Sequence, residues 1–360
     1  MAEYISFQPI ENFKALIYTG TSATNAQTFP ETTAMQPDFV WIKTRDAGAR
    51  SHVLTDSVRG VNYQVASNTN LVETNYTDML ASFDSDGFTL GNDATKGEVN
   101  NSGDLYASWN WKAGTTSGIT TDGSTTITPS SYSFNQTTGI SILKYTGNGT
   151  SGAKLAHGLG VIPQTMWVHC LDPNADWAVY HHKMNLTTPQ DYYMQLNDTP
   201  SATNSTMWND TAPDSVNFSL GSASNNNQDT KSYIAYCFAE KNGFSRFGTY
   251  EGNNASGTGD ADGTFVYTGF RPAFFMVKNA ETTDNWMMQN GKVLGYNAKN
   301  WQFQTNTDAA ETESNHIDFL SNGFKVRSSH SGIGSGHRFV YWAFAEFPLV
   351  SSNDIPGLAR

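Results

Sequence analysis

Acidic residues around a glycine are the first candidates for chemistry in this sequence. Asp84 and Asp86 flank a serine in "SFDSDGFTLG", and Asp93 follows shortly after. Carboxylates around a glycine turn can bind calcium, but a calcium loop needs regularly spaced oxygen ligands and a later bidentate glutamate. The segment "DSDGFTLGNDATKGE" does not supply that pattern. We therefore interpret it as an Asp-Gly turn between strands, and we keep the three aspartates only as weak metal candidates.

Other catalytic arrangements are weaker still. Adjacent His181 and His182 on a strand would point to opposite faces, so they could not chelate one ion together. The sequence has no Gly-x-Ser-x-Gly nucleophile elbow, and "GNGTSG" precedes no helix that could hold a phosphate. No pattern selects a carboxylate pair for glycoside hydrolysis. We predict no enzymatic activity, no catalytic residue and no cofactor.

Cys170 and Cys237 are the only cysteines. Neither has the surroundings of an activated thiol. The sequence leaves open whether they form one disulfide, although two buried thiols are the commoner arrangement.

Two tryptophans are the candidates for ligand binding. Trp177 in "ADWAVYHH" and Trp286 in "DNWMMQN" occupy equivalent positions in a repeated pattern. Such a ring can stack on the face of a sugar, or it can pack in a core. The sequence leaves both interpretations open.

Four short patterns recur three times in the same order, and they decide the organisation of the chain. They are an aromatic-glycine turn (Tyr18, Tyr145, Tyr250), a proline before an apolar run (Pro37, Pro163, Pro272), an aromatic-polar-aliphatic strand (Phe88, Phe218, Phe324) and a closing aromatic strand (Tyr106, Tyr233, Phe339). Each pattern is typical of a short strand or the turn that enters it. The sequence therefore predicts a triplicated unit built from strands.

Composition agrees with that class. Apolar residues make up 38% and charged residues only 15% of the chain, which is rich in glycine and aromatic residues. Long amphipathic helices are richer in Ala, Glu, Lys and Leu. We predict an all-β protein of three tandem β-sandwich domains: residues 1–113 with a short N-terminal segment, 138–243, and 244–360 with a C-terminal tail. Residues 114–137, rich in Ser, Thr and Gly, are predicted to be a linker.

The net charge argues against two classes of partner. The formal charge is −12 and no basic tract interrupts it. Binding to nucleic acid needs a concentrated positive face, and adhesion to anionic lipid is similarly disfavoured. The N-terminal "MAEYISFQPIENF" shows no conventional signal peptide. We expect a soluble protein with neither nucleic acid nor membrane as partner.

Several of these segments resemble a known group of proteins. "MQPDFVWIKTRDAGARSHVLTDSVRG", "FDSDGFTLG" and "YASWNWKAG", with "GFRPAFFMVK", "DFLSNGFKVR" and "RFVYWAFAE" near the C-terminus, look like the repeated β domains of virion proteins from marine tailed bacteriophages. The resemblance implies lectin-like or jelly-roll-like sandwiches and a tail, fibre or other structural role. It attaches no catalytic residues to the motifs. It also implies synthesis in the host cytoplasm and a final location in the virion.

The expected function is that of a non-enzymatic structural protein on the outside of a tailed-phage virion, as a fibre, spike or head decoration. It would bind other virion proteins and copies of itself through sandwich surfaces, as a homo-oligomer. The alternative is a carbohydrate-binding module that recognises a host receptor, with Trp177 and Trp286 stacking on surface glycans.

Overall fold

The structure is a computed structural model that describes residues 5–257, 259–293 and 301–347, and these residues form an all-β protein. Every pair of neighbouring strands is antiparallel within the sheets of the described ranges. Helical turns there are limited to three short 3-10 helices, Pro9–Glu11, Pro189–Asp191 and Thr206–Trp208. Nothing helical in these ranges has the length and hydropathy needed to cross a bilayer. The predicted all-β class is confirmed.

The first repeat forms one large and one small sheet. Its strands are β1 (Phe13–Thr19), β2 (Asn25–Thr28), β3 (Phe39–Thr44), β4 (Val53–Asp56), β5 (Tyr63–Val65), β6 (Thr74–Asn75), β7 (Leu80–Asp84), β8 (Gly87–Leu90) and β9 (Leu105–Trp111). The large sheet has the order β1-β9-β3-β4-β5-β6, and the small sheet has the order β2-β8-β7.

The second repeat follows a similar plan, with β10 added to its large sheet and only two strands in its small sheet. Its strands are β10 (Ser131–Asn135), β11 (Ile140–Thr146), β12 (Ala153–Ala156), β13 (Thr165–Cys170), β14 (Ala178–His181), β15 (Tyr192–Tyr193), β16 (Thr203–Asn204), β17 (Asn217–Leu220) and β18 (Ser232–Phe238). The large sheet is β10-β11-β18-β13-β14, and the pairs β12-β17 and β15-β16 lie beside it.

The third repeat returns to the order of the first. Its strands are β19 (Ser245–Glu251), β20 (Phe265–Tyr267), β21 (Phe274–Asn279), β22 (Met287–Asn290), β23 (Trp301–Gln304), β24 (Thr312–Glu313), β25 (Ile317–Leu320), β26 (Gly323–Val326) and β27 (Arg338–Phe344). The large sheet is β19-β27-β21-β22-β23-β24, and the small sheet is β20-β26-β25.

The strand that follows the repeated proline is buried on both faces. β3, β13 and β21 are buried at every position. In β3, Trp41 joins a cluster at the centre of the molecule, whereas Val40 and Ile42 face a separate cluster under the small sheet. In β21, Met276 and Val277 divide between the two faces in the same way. Alternate side chains of one strand therefore serve two different cores.

The tyrosine and the glycine that recur in each repeat both contact the loop before the closing strand. Each tyrosine hydroxyl donates a hydrogen bond to a main-chain carbonyl in the loop before the closing strand: Tyr18 to Val99 at 2.8 Å, Tyr145 to Asn226 at 2.5 Å and Tyr250 to Ile333 at 2.7 Å. The glycine two positions later lies against the same loop. A Cβ atom on Gly20 would stand 2.1 Å from the Asn101 carbonyl oxygen, so only glycine fits there.

Residues 114–137, predicted as a linker, instead contribute to the folded body. They contain β10, which pairs with β11 from Ser131↔Lys144 to Asn135↔Ile140. Ile127 and Phe134 are both buried. Strand pairing, main-chain hydrogen bonds and these two apolar side chains together hold a segment whose Ser, Thr and Gly content suggested a free tether. The C-terminal tail from residue 348 lies outside the described residues.

One edge of each large sheet has an additional contact. In the second repeat β10 covers β11. In the third, the Glu240 carboxylate accepts the Phe247 main-chain N–H at 3.2 Å, and in the first, Glu346 accepts the Ala15 N–H at 2.6 Å. An uncovered strand edge invites pairing with another chain, and the two carboxylates each remove one free main-chain donor from such an edge.

Candidate functional site

Both tryptophans singled out for ligand binding are buried. Trp177 and Trp286 are each 0% exposed. As placed, neither ring can stack on a glycan, because no ring face reaches solvent. The indole nitrogens have a different role, which involves residues of a neighbouring repeat.

Three aromatic donors link the repeats. We call His52, Trp177 and Trp286 the donor trio. Each lies one residue before the first paired residue of its strand, which is β4, β14 or β22 in that order. The Trp177 indole N–H donates to the Ala66 carbonyl oxygen at 2.9 Å, and that of Trp286 donates to the Gln195 carbonyl oxygen at 2.8 Å. The second repeat thus bonds to the first, and the third bonds to the second.

His52 completes the set. Its Nδ1 accepts a hydrogen bond from the Trp41 indole at 2.9 Å, so its Nε2 carries the proton. That Nε2 lies 3.1 Å from the Gln304 carbonyl oxygen and donates to it. Burial lowers the pKa of His52 well below its usual value, which keeps the ring neutral. The first repeat therefore bonds to the third.

The donor trio is held in place by equivalent asparagines. The main-chain N–H of each member donates to an asparagine side-chain oxygen of its own repeat: His52 to Asn68 at 2.9 Å, Trp177 to Asn197 at 2.8 Å and Trp286 to Asn306 at 2.9 Å. Each asparagine stands two residues after the carbonyl that its neighbour's donor reaches. Donor and acceptor therefore belong to one repeated local structure.

A second set of polar contacts runs in the same direction. We call Lys43, His169 and Lys278 the basic trio. All three are 0% exposed, and their side-chain nitrogens contact carbonyl oxygens of Asp308 at 3.4 Å, Leu71 at 2.9 Å and Thr199 at 2.9 Å, in that order. Burial lowers the pKa of Lys43 and of Lys278 to about 8. Each member again reaches into the adjacent repeat.

Main-chain hydrogen bonds reinforce all three contacts. Each pair of adjacent repeats exchanges two of them. They are Ala175 N to Asn70 O (2.9 Å), Glu73 N to Leu171 O (3.2 Å), Asp284 N to Thr199 O (3.0 Å), Ala202 N to Ala280 O (3.1 Å), Arg50 N to Asp308 O (3.3 Å) and Glu311 N to Arg45 O (2.7 Å).

Aromatic rings from all three repeats meet in the central cluster. The ring centroids of Phe39 and Tyr236 lie 4.5 Å apart, and those of Phe238 and Phe344 lie 5.7 Å apart. Trp111 and Phe344 lie 5.6 Å apart and join the first repeat to the third. One cluster of buried residues thus includes members of every repeat.

The three interfaces together form a closed ring with approximate threefold symmetry. Each interface is heterologous, because the surface that donates on one repeat differs from the surface that accepts on the next. Such interfaces close into a ring when the rotation between units allows it. The contact from the first repeat to the third closes the ring. We call this arrangement the inter-repeat ring.

The acidic metal candidates lie in the first repeat, Asp84 at the end of β7 and Asp86 and Asp93 in loops, and their oxygens accept hydrogen bonds within the fold. Asp93 accepts main-chain N–H groups of Gly97 at 3.0 Å, Val99 at 2.6 Å and Asn100 at 2.9 Å, and it is 3% exposed. Its pKa is raised by burial. Its oxygens hold the loop that leads to the closing strand.

Asp84 and Asp86 are engaged separately. Asp84 accepts hydroxyl bonds from Ser82 at 2.6 Å and Thr89 at 2.7 Å, across the β7–β8 hairpin. Asp86 accepts the Met35 main-chain N–H at 3.1 Å and lies 3.7 Å from the Lys14 ammonium. Within the described ranges, no three His, Cys, Asp or Glu side chains form a metal-binding group.

His181, Cys170 and Cys237 are buried, and His182 is half-buried. The His181 Nε2 lies 3.3 Å from the Tyr341 carbonyl oxygen and the His182 Nε2 lies 2.7 Å from that of Phe247, so both contact the third repeat. Cys170 and Cys237 are free and buried. Burial raises the pKa of both thiols, which disfavours the reactive thiolate.

Sequence reasoning missed His52, the three asparagines and the closure of the ring. The signal was present, because the repeats can be aligned through Asn68, Asn197 and Asn306. It was obscured because a histidine in the first repeat replaces the tryptophan of the other two.

One family model matches the chain, over residues 8–348, and that family is a domain of unknown function, DUF7483. The chain belongs to the DUF7483 family. The match extends across all three repeats. No curated protein and no solved structure matches the chain.

A tryptophan substitution tests the inter-repeat ring. Trp177→Phe keeps an aromatic ring but removes the donor to Ala66. The control is Trp167→Phe, which removes the same atoms from a buried indole whose N–H has no hydrogen-bond partner among the described residues. Because Ala66 is only half-buried, loss of this hydrogen bond should cost about 0.5–1.5 kcal/mol. We expect the free energy of unfolding in urea to fall by that much more for Trp177→Phe than for Trp167→Phe. Equal losses would show that the bond contributes nothing.

The burial of His169 predicts a pH dependence. Burial lowers its folded-state pKa to about 4, while an unfolded histidine titrates near ~6.5. Between these values the unfolded state binds more protons, so the free energy of unfolding should fall as pH falls, by at most about 1.4 kcal/mol per unit for this group. His169→Gln retains an N–H donor without titrating. We expect a shallower slope for this variant from pH 6.5 to 4 and no change in slope above pH 7.5. Parallel profiles over the whole range would contradict the assignment.

Proposed function

We propose that this protein is a non-enzymatic structural component on the outside of a tailed-phage virion, such as a fibre, spike or head decoration. The observation that carries the proposal is the inter-repeat ring, which joins three similar units around one axis. The resemblance of the repeated segments to virion proteins of marine tailed bacteriophages supports the same conclusion.

We propose further that each repeat is a two-layer β-sandwich, lectin-like or jelly-roll-like, and that the three sandwiches are fused through their large sheets. The separate apolar clusters under the small sheets of the first and third repeats support the two-layer description. The shared central cluster supports the fusion. The unit available for assembly is then the whole ring.

The interior favours a structural role over catalysis. Asp93 is committed to main-chain donors, and the side chains of the donor trio and the basic trio bond to backbone carbonyls of neighbouring repeats. These groups order loops and interfaces. Groups arranged for proton transfer or nucleophilic attack would instead converge on a shared pocket.

Assembly would proceed through faces of the ring. Glu240 and Glu346 each occupy one main-chain donor of an edge strand, which reduces its capacity to recruit another chain. The partners we propose are other virion proteins and further copies of this chain, with neither nucleic acid nor membrane among them. Symmetry would then multiply weak contacts into avidity. The protein would be made in the host cytoplasm and located in the virion.

The test is the composition and structure of the particle. We expect mass spectrometry of purified, nuclease-treated virions of a phage encoding this chain to detect it in stoichiometric amounts. Cryo-electron microscopy should then show ring-shaped density of this size on the exterior. Absence from purified particles, or a recombinant protein that remains monomeric and does not bind them, would contradict the proposal. Release of reducing ends from host polysaccharide by the pure protein would contradict its non-enzymatic part.

A further inference from the structure

Two aromatic rings lie exposed on one edge strand of the third repeat. Phe265 is 46% exposed and Tyr267 is 56% exposed, and both belong to β20. Val266 between them is 9% exposed and packs in the cluster under the small sheet. Phe265 and Tyr267 therefore point to the same outer face, with Cβ atoms about 7 Å apart. We call them the aromatic pair.

The other two repeats provide an internal comparison. β20 pairs with β26 as β2 pairs with β8 and β12 pairs with β17. The residues that correspond to the aromatic pair are Ala26 and Thr28 in the first repeat, and Lys154 and Ala156 in the second. Ala26 and Thr28 are exposed, so the fold is compatible with small or polar residues there, whereas Ala156 is buried. The two exposed rings are a property of the third repeat alone.

Polar groups flank the aromatic pair. Lys325 lies opposite Phe265 on β26 and forms an ion pair with Asp262, whose side chain is 91% exposed. Gly323 lies opposite Tyr267 and has no side chain to cover the ring. The result is two apolar rings with a charged donor and a charged acceptor beside them.

The size of this surface argues against a protein partner. Half of two aromatic side chains amounts to roughly 200 Å², far below the roughly 800 Å² that each partner buries in a specific protein interface. β20 is also only three residues long, and short edge strands are poor templates for strand pairing.

A sugar fits better. The C–H face of a pyranose is apolar and packs on an aromatic ring, while its hydroxyl groups need donors and acceptors at the rim. The net charge of −12 disfavours an acidic polysaccharide. A neutral oligosaccharide satisfies both conditions.

We propose that Phe265 and Tyr267 form a binding surface for neutral oligosaccharides, with one sugar ring stacked on each aromatic ring and hydroxyl groups bonded to Lys325 and Asp262. This function goes beyond the proposed virion assembly. It also differs from glycan stacking at Trp177 and Trp286, whose rings are buried.

A glycan array tests the proposal. The full chain should bind neutral gluco-, galacto- or manno-oligosaccharides in preference to sialylated or uronic-acid oligosaccharides on the same array. Titration with the best neutral ligand should show at least tenfold weaker binding for the double variant Phe265→Ala/Tyr267→Ala. Thr28→Ala, at the corresponding position of the first repeat, should bind as the unmodified chain does. Both sites are exposed, and circular dichroism and thermal melting should confirm unchanged folding.

Three outcomes would overturn the proposal. They are silence across the neutral glycans, neutral binding that the double variant retains, and concentration-dependent self-association that the double variant abolishes. The last would identify a second copy of this chain as the occupant. Detection of the chain in virions is a separate readout, so failure of glycan binding and failure of the virion role are distinguishable.

Discussion

Each large sheet has two apolar faces, and both must be removed from water. The small sheet covers the outer face in the first and third repeats, where Phe88 and Phe324 lie in the covered clusters. The inner face carries the bulkiest residues, among them Trp109 and Trp342. A single repeat has nothing left to cover that face. Three repeats cover one another, and the burial of large aromatic side chains dominates the energetics of such a core.

Apolar burial alone does not fix how three sheets meet, because it is non-directional. The hydrogen bonds of the donor trio and the basic trio fix the relative orientation of the repeats. Their bonds to backbone carbonyls have specific geometry, and a misplaced repeat would leave buried polar groups without partners. Lys43 and Lys278 constrain the position of the neighbouring repeat most strongly, since a buried ammonium without acceptors is costly. The same logic explains why the ring tolerates His52 in place of tryptophan, because the imidazole retains one N–H aimed at the same kind of acceptor.

Much of this could be predicted from the sequence. The triplication, the strand class and the large inward-facing residues of the closing strands followed from recurring patterns, because strand periodicity and turn residues act locally. The folded state of residues 114–137 did not follow, since Ile127 and Phe134 are isolated in a polar segment. The sequence also left open whether Trp177 and Trp286 pack in a core or stack on a sugar. Their position relative to solvent depends on a neighbouring repeat, and a pattern within one repeat has no information about that neighbour.

The exposure of Phe265 and Tyr267 was not predicted, for a related reason. Alternation along β20 shows that the strand has two faces, but only the three-dimensional structure shows which face is exposed to solvent.

The central claim is that three repeats form one cooperative unit through a shared core. Differential scanning calorimetry of the full chain tests it most directly, by comparing the calorimetric enthalpy of unfolding with the van't Hoff enthalpy from the shape of the transition. The inter-repeat ring predicts a single transition in which the two enthalpies agree. Resolved transitions, or a van't Hoff enthalpy near one third of the calorimetric value, would show that the repeats unfold as independent sandwiches.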